Sequence, residues 1–187
     1  HKALQRFKVQ NNLIAQAMPS DFSGMVSLTD LSLGLNRFTG SFPSVLPLYS
    51  LASIDVSFNQ LTGVVPRIIT AGSPLNQRPP LPNNGYPYDA VNHFQQLEVV
   101  DMSQNQLSGI FPIYPFAMAR LGERLNLNAQ FNFFTTTPPR HFSERSDFAG
   151  NFFTCPLPFT FGKLIGGETF AKPLKCDYQG YVQPADS

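Results

Sequence analysis

The chain has 187 residues, with 13 Lys and Arg against 12 Asp and Glu. A net charge of +1 leaves no basic footprint for nucleic acid or an anionic membrane. A hydrophobic content of 42% excludes a disordered chain, and no apolar run approaches the ~20 residues of a transmembrane helix. Only 13% of residues are charged, against about 25% in a typical domain. Phe occurs 18 times, Pro 17 times and Trp not at all. The length suits one domain with a sizeable core.

Taken in chain order, the sequence repeats itself. Residues 4–19 read LQRFKVQNNLIAQAMP, with Asn12 late in the pattern. Residues 28–43 read LTDLSLGLNRFTGSFP, and residues 51–66 read LASIDVSFNQLTGVVP. Both fit LxxLxLxxNxLxGxxP, and their first leucines lie 23 residues apart. Residues 97–112, LEVVDMSQNQLSGIFP, fit it again. Residues 124–139, RLNLNAQFNFFTTTPP, keep Leu127, Ala129, Asn132 and Phe134 in register. A fixed period of this length is the signature of a solenoid, in which stacked units share one core.

Each column has a physical reading. L-x-L places two side chains on one face of a short strand. Asn36, Asn59 and Asn105 can sit inside a turn and bond backbone groups that the bend leaves unpaired. Gly40, Gly63 and Gly109 allow backbone angles other residues resist, and the Pro that follows fixes an extended or turning segment.

From Leu51 to Leu97 the step is 46 residues, one repeat length too many. The surplus, about 67–96, is rich in Pro and carries Tyr86, Tyr88 and an Asn-Asn-Gly turn signal. Arg78 and Pro80 would occupy the strand positions, so the stretch reads as an insertion rather than a degenerate repeat. The two cysteines, Cys155 and Cys176, allow buried thiols, a metal half-site or a disulfide. The chain has no CxxC and scattered histidines, which disfavours the metal site.

These residues resemble the plant-type leucine-rich repeat family, whose repeat is close to LxxLxxLxLxxNxLxGxIPxx. The resemblance implies an α/β-type solenoid, a right-handed superhelix with a concave parallel β-sheet and about five repeats. Residues 143–176, with SDFAGNFFTCPLP, resemble the family's C-terminal cap. That likeness implies a Cys155–Cys176 disulfide, whose ~20-residue loop is worth about 3 kcal/mol in the chain-entropy model. Residues 1–142 are then repeats and 177–187 a tail. The family's paired-cysteine N-terminal helix has no counterpart here, and no Asn opens an N-x-S/T sequon. Leu4, Phe7, Val9, Ile14 and Met18 would leave an apolar end. The expectation is a C-terminal portion of a longer protein, or an end covered by neighbouring repeats or a subunit.

By the same resemblance the x positions of LxxLxLxx form the binding surface. The candidate residues are Arg6, Lys8, Gln10, Asp30, Ser32, Asp55, Ser57, Phe58, Asp101, Ser103, Asn128 and Phe131, with Tyr86 and Tyr88 in the insertion. They form a basic end and an acidic middle, or else simply follow the family's LDLSxN wording. No nucleophile or metal motif is present, and Asp55 and Asp101 on an open face lack the cleft that glycosidase chemistry needs. The expected function is non-catalytic recognition or adhesion outside the cell, without a cofactor, for a protein or carbohydrate ligand. The chain is not expected to span a membrane or bind nucleic acid. The alternatives are a structural subunit of a surface filament or coat, and a secreted inhibitor of wall-degrading enzymes.

Overall fold

The computed structural model describes residues 3–47, 50–66, 70–71, 96–111, 125–136, 146–154, 174–176 and 182–184. Among them the strands run, in chain order, β1 (Arg6–Lys8), β2 (Asp30–Ser32), β3 (Val45–Leu46), β4 (Ser53–Asp55), β5 (Thr62–Val64), β6 (Thr70–Ala71) and β7 (Val99–Asp101). They continue with β8 (Gln106–Ile110), β9 (Asn126–Asn128), β10 (Phe133–Thr136), β11 (Phe152–Phe153), β12 (Leu174–Cys176) and β13 (Val182–Pro184).

The L-x-L positions build the first sheet, a parallel one in the order β1-β2-β4-β7-β9. Alternation turns the middle residue of each strand inward. Leu31, Ile54, Val100 and Leu127 are 0–1% exposed, and Leu33, Val56, Met102 and Ala129 lie beneath them. Strand β4 pairs directly with β7, Asp55 opposite Asp101. No strand of this sheet therefore comes from between β4 and β7. Within the stretch read as an insertion, β6 pairs instead with β3. Tyr86, Tyr88 and Cys155 lie outside the described residues, and Cys176 ends β12, which pairs antiparallel with β13.

The asparagine column forms a ladder. Asn36, Asn59, Asn105, Asn132 and Asn151 are 0–8% exposed. Each donates from Nδ2 to carbonyls of its own turn and to one of the preceding coil; Asn105, for example, reaches Val56 O at 3.0 Å and Met102 O at 3.2 Å. Each accepts at Oδ1 from a backbone N–H of the preceding coil, as Asn105 does from Leu61 N at 3.0 Å. One side chain thus satisfies polar backbone groups of two coils where the chain bends away from the sheet.

The chain makes a second parallel sheet on the far side of each coil, in the order β11-β10-β8-β5. The repeat pattern left this sheet unannounced, although its L-x-G alternation is that of a strand. Gly63 and Gly109 take φ of 74° and 78° there, and Gly40 takes 86° at the matching place one coil before β5. At Gly109 a Cβ would also stand 2.8 Å from Val64 Cγ1. Four of the phenylalanines pack edge to face in the core. Phe111 meets Phe134 edge-on at 5.2 Å and Phe148 at 5.3 Å, and Phe148 meets Phe153 at 6.4 Å. Such pairs contribute about 0.5–1.5 kcal/mol each beyond their buried area.

Residues 146–154, read from the sequence as the start of a cap, make one more coil. Asp147 bridges to Asn128, Asn151 extends the ladder, and β11 extends the second sheet.

Candidate functional site

Parallel register sorts the outward side chains of the concave sheet into two rungs. One runs Arg6, Asp30, Ser53, Val99, Asn126. The other runs Lys8, Ser32, Asp55, Asp101, Asn128 and, through the isolated bridge, Asp147. Neighbours on a rung stand about 4.8 Å apart along the hydrogen-bonding direction. The second rung therefore passes from one cation to three carboxylates within six coils. On the first rung Arg6 Nε lies 3.5 Å from Asp30 Oδ2, with side chains 73% and 30% exposed. An ion pair this open contributes about 0–1 kcal/mol.

Each carboxylate is held by the turn that follows it. Asp55 Oδ1 accepts from Ser57 N at 3.0 Å and Ser57 Oγ at 2.7 Å. Asp101 Oδ1 accepts from Ser103 N at 2.9 Å and Ser103 Oγ at 2.7 Å, and its Oδ2 accepts from Asn128 Nδ2 at 3.1 Å. Asp147 Oδ1 accepts from Ala149 N at 3.0 Å. Glycine at position 34 makes room for Asp55, since a Cβ there would come within 2.7 Å of both carboxylate oxygens. The carboxylates are thus fixed in direction before any ligand arrives, which lowers the ordering cost of binding. At the acidic end Val99, Val100, Asp101, Asn126, Asn128, Gln130 and Asp147 line a hollow of about 250 Å³.

This geometry corrects part of the sequence reading. Ser57 and Ser103 do not offer themselves to a partner: they are 6% and 4% exposed, and their hydroxyls orient the aspartates. Lys8, Ser32, Asp55, Asp101 and Asn128 share one rung, Arg6 and Asp30 share the other, and Gln10 lies exposed beyond β1. Asp147 was missed as a member of this rung, because its segment read as a cap; it is 5% exposed and serves its own turn rather than the open face. Its signal was the Asp-x-x-x-Asn spacing of Asp147 and Asn151, which repeats Asp55 with Asn59 and Asp101 with Asn105.

Phe58 and Phe131 belong to the edge of this face rather than to its floor. They sit where the chain leaves the strand to aim the next residue, the ladder asparagine, inward. That bend puts Asn11, Leu35, Phe58, Gln104 and Phe131 at φ of 50–57°. The left-handed region costs an ordinary residue about 1–2 kcal/mol. Even so Leu35, Phe58 and Phe131 hold apolar side chains there, 50–51% exposed. The next coil has Gly150 at this point, φ 68°, where a Cβ would stand 2.5 Å from the Phe131 ring.

Among the described residues no helix is long and apolar enough to cross a membrane, and no group of three His, Cys, Asp or Glu could hold a metal ion. The Leucine Rich Repeat family model matches residues 96–117. MSL1, a leucine-rich repeat receptor protein kinase of Oryza sativa subsp. japonica, is 36% identical over 63 residues, 34% of this chain and 4% of the relative. The receptor-like kinase TMK2 of Arabidopsis thaliana is 31% identical over 137 residues, 70% of this chain and 15% of the relative. The chain thus spans a small part of the length of these relatives. Among solved structures, the leucine-rich repeat ectodomain of the Arabidopsis receptor kinase HAESA, in complex with an N-terminally extended IDA peptide hormone ligand, superposes with a TM-score of 0.61. It is 20% identical, and the match covers 82% of this chain and 22% of that one. The chain carries a Leucine Rich Repeat match, is similar in sequence to plant receptor kinases and shares the fold of a plant leucine-rich repeat ectodomain.

Proposed function

We propose that this chain is an extracellular, non-catalytic recognition module that binds an extended, basic polypeptide segment along its concave face. The observation that carries the reading is the rung position shared by Asp55 and Asp101 beside the exposed rings of Phe58 and Phe131. Carboxylates at strand spacing suit Lys or Arg side chains projecting from an extended chain. Exposed rings beside them accept apolar side chains or the faces of guanidinium groups. The peptide-hormone complex of the HAESA ectodomain supports a polypeptide ligand over a carbohydrate. Recognition is preferred to catalysis because Asp55 and Asp101 stand on a sheet face open to water.

An array of short synthetic peptides, equal in length and differing in Lys and Arg content, tests the reading. Basic peptides should be retained by the immobilised chain, and retention should fall as salt rises. Equal retention of neutral and basic peptides, or binding indifferent to salt, would overturn it.

A further inference from the structure

Asp55 and Asp101 face each other across adjacent strands of the concave sheet. Strand spacing alone would hold these two like charges about 4.8 Å apart, where they repel. Their surroundings turn the two carboxylates in opposite directions. Asp55 leans back toward β2: its carboxylate lies over Gly34, where a Cβ would come within 2.7 Å of both oxygens. Asp101 leans forward toward β9, its Oδ2 accepting from Asn128 Nδ2 at 3.1 Å. Ser57 and Ser103 then hold each Oδ1 in place.

The backbone gives Gly34 no reason to be glycine. Unlike Gly40, Gly63 and Gly109, it takes no positive φ. The same position is Ser57, Ser103 and Gln130 in the next three coils of the sheet. What its missing side chain leaves is the space that Asp55 occupies. Among the described residues nothing donates to Asp55 Oδ2, which leaves that oxygen as an acceptor for a ligand.

The inference drawn from this splay rests on the concave face being the site of a basic polypeptide. We propose that Gly34 and Asn128 are positioning residues that set the charge spacing of that ligand. The face selects two cationic side chains on alternate residues of an extended segment crossing the strands, one for each carboxylate, rather than a single cation shared by both. Carboxylates that lean apart stand farther from each other than the strand spacing of about 4.8 Å. Side chains on alternate residues of an extended chain project from one face about 6.6 Å apart. Adjacent residues project to opposite faces, and residues four apart overshoot the pair at about 13 Å.

Three peptides of equal length and charge test the proposal, with two lysines adjacent, on alternate residues, or four residues apart, and every other residue neutral. The parent chain should bind the alternate peptide at least about fivefold more tightly than either of the others. A Cβ at position 34 meets the end of a rotatable side chain, so Gly34→Ala should swing Asp55 toward Asp101 and leave the coil folded. The preference should then fall to under about twofold. In the Asp55→Asn background the same substitution should change affinity by less than about twofold, because the glycine acts through the carboxylate. Asn128→Ala, which releases Asp101 Oδ2, should lower the preference as well and decides the matter if Gly34→Ala does not fold. Equal binding of the three peptides by the parent would overturn the proposal while leaving a basic ligand in place. So would an unchanged preference in Asn128→Ala, or a loss in Gly34→Ala that is uniform across the peptides or undiminished in the Asp55→Asn background. Binding of all three no tighter than a neutral peptide would overturn the reading of the face itself, and this inference with it.

Discussion

Two adjacent positions in every coil answer the same bend in opposite ways. The ladder position is Asn in all five coils after the first, buried and bonded to two coils at once. The position just before it is Asn11, Leu35, Phe58, Gln104, Phe131 or Gly150, all with φ between 50° and 68°. At the first position the hydrogen bonds dictate the residue. At the second the backbone favours Gly or Asn, yet three coils keep large apolar side chains half in solvent. The difference separates what the fold demands from what the surface is used for.

Breaking the first position should have the larger effect. Asn105→Ala strips Leu61 N and Val56 O of a buried partner and should destabilise by about 2–4 kcal/mol, read by denaturant titration. A loss below about 1 kcal/mol would mean the ladder is not what ties the coils together. The second position sharpens the contrast. Phe58→Gly and Phe58→Ala remove the same ring, but only glycine also relieves the left-handed backbone at φ 50°. The glycine variant should be more stable than the alanine variant by about 1 kcal/mol, and both should bind basic peptides more weakly than the parent.

How much of this was legible in the sequence follows the same division. The columns that build the concave sheet could be read directly, since burying L-x-L faces and satisfying bent backbone leave few residue choices. The five strands of that sheet lie on the repeats so identified. The sixth coil was obscured because Cys155 drew residues 146–154 into a cap, although Asp147 and Asn151 carry the repeat's spacing. The second sheet was obscured because its strands are short and alternate with Gly and Thr, whose strand signal is weak. The roles of Ser57 and Ser103 were misjudged because alternation gives the face of a strand but not the turn after it. There the chain curls back and turns the hydroxyl toward the aspartate. The cost of Leu35, Phe58 and Phe131 lies in a backbone angle, which one sequence does not display.

The most direct measurement is the affinity of a basic peptide for Asp55→Asn/Asp101→Asn against the parent chain. Asn keeps an oxygen for the N–H groups of Ser57 and Ser103, so the turns stay formed while the charge is removed. The account predicts a folded double variant, slightly less stable because Asn128 Nδ2 loses its acceptor on residue 101, and roughly tenfold or greater weakening for a basic peptide, with little change for a neutral one. Unchanged affinity for the basic peptide in a folded double variant would contradict it.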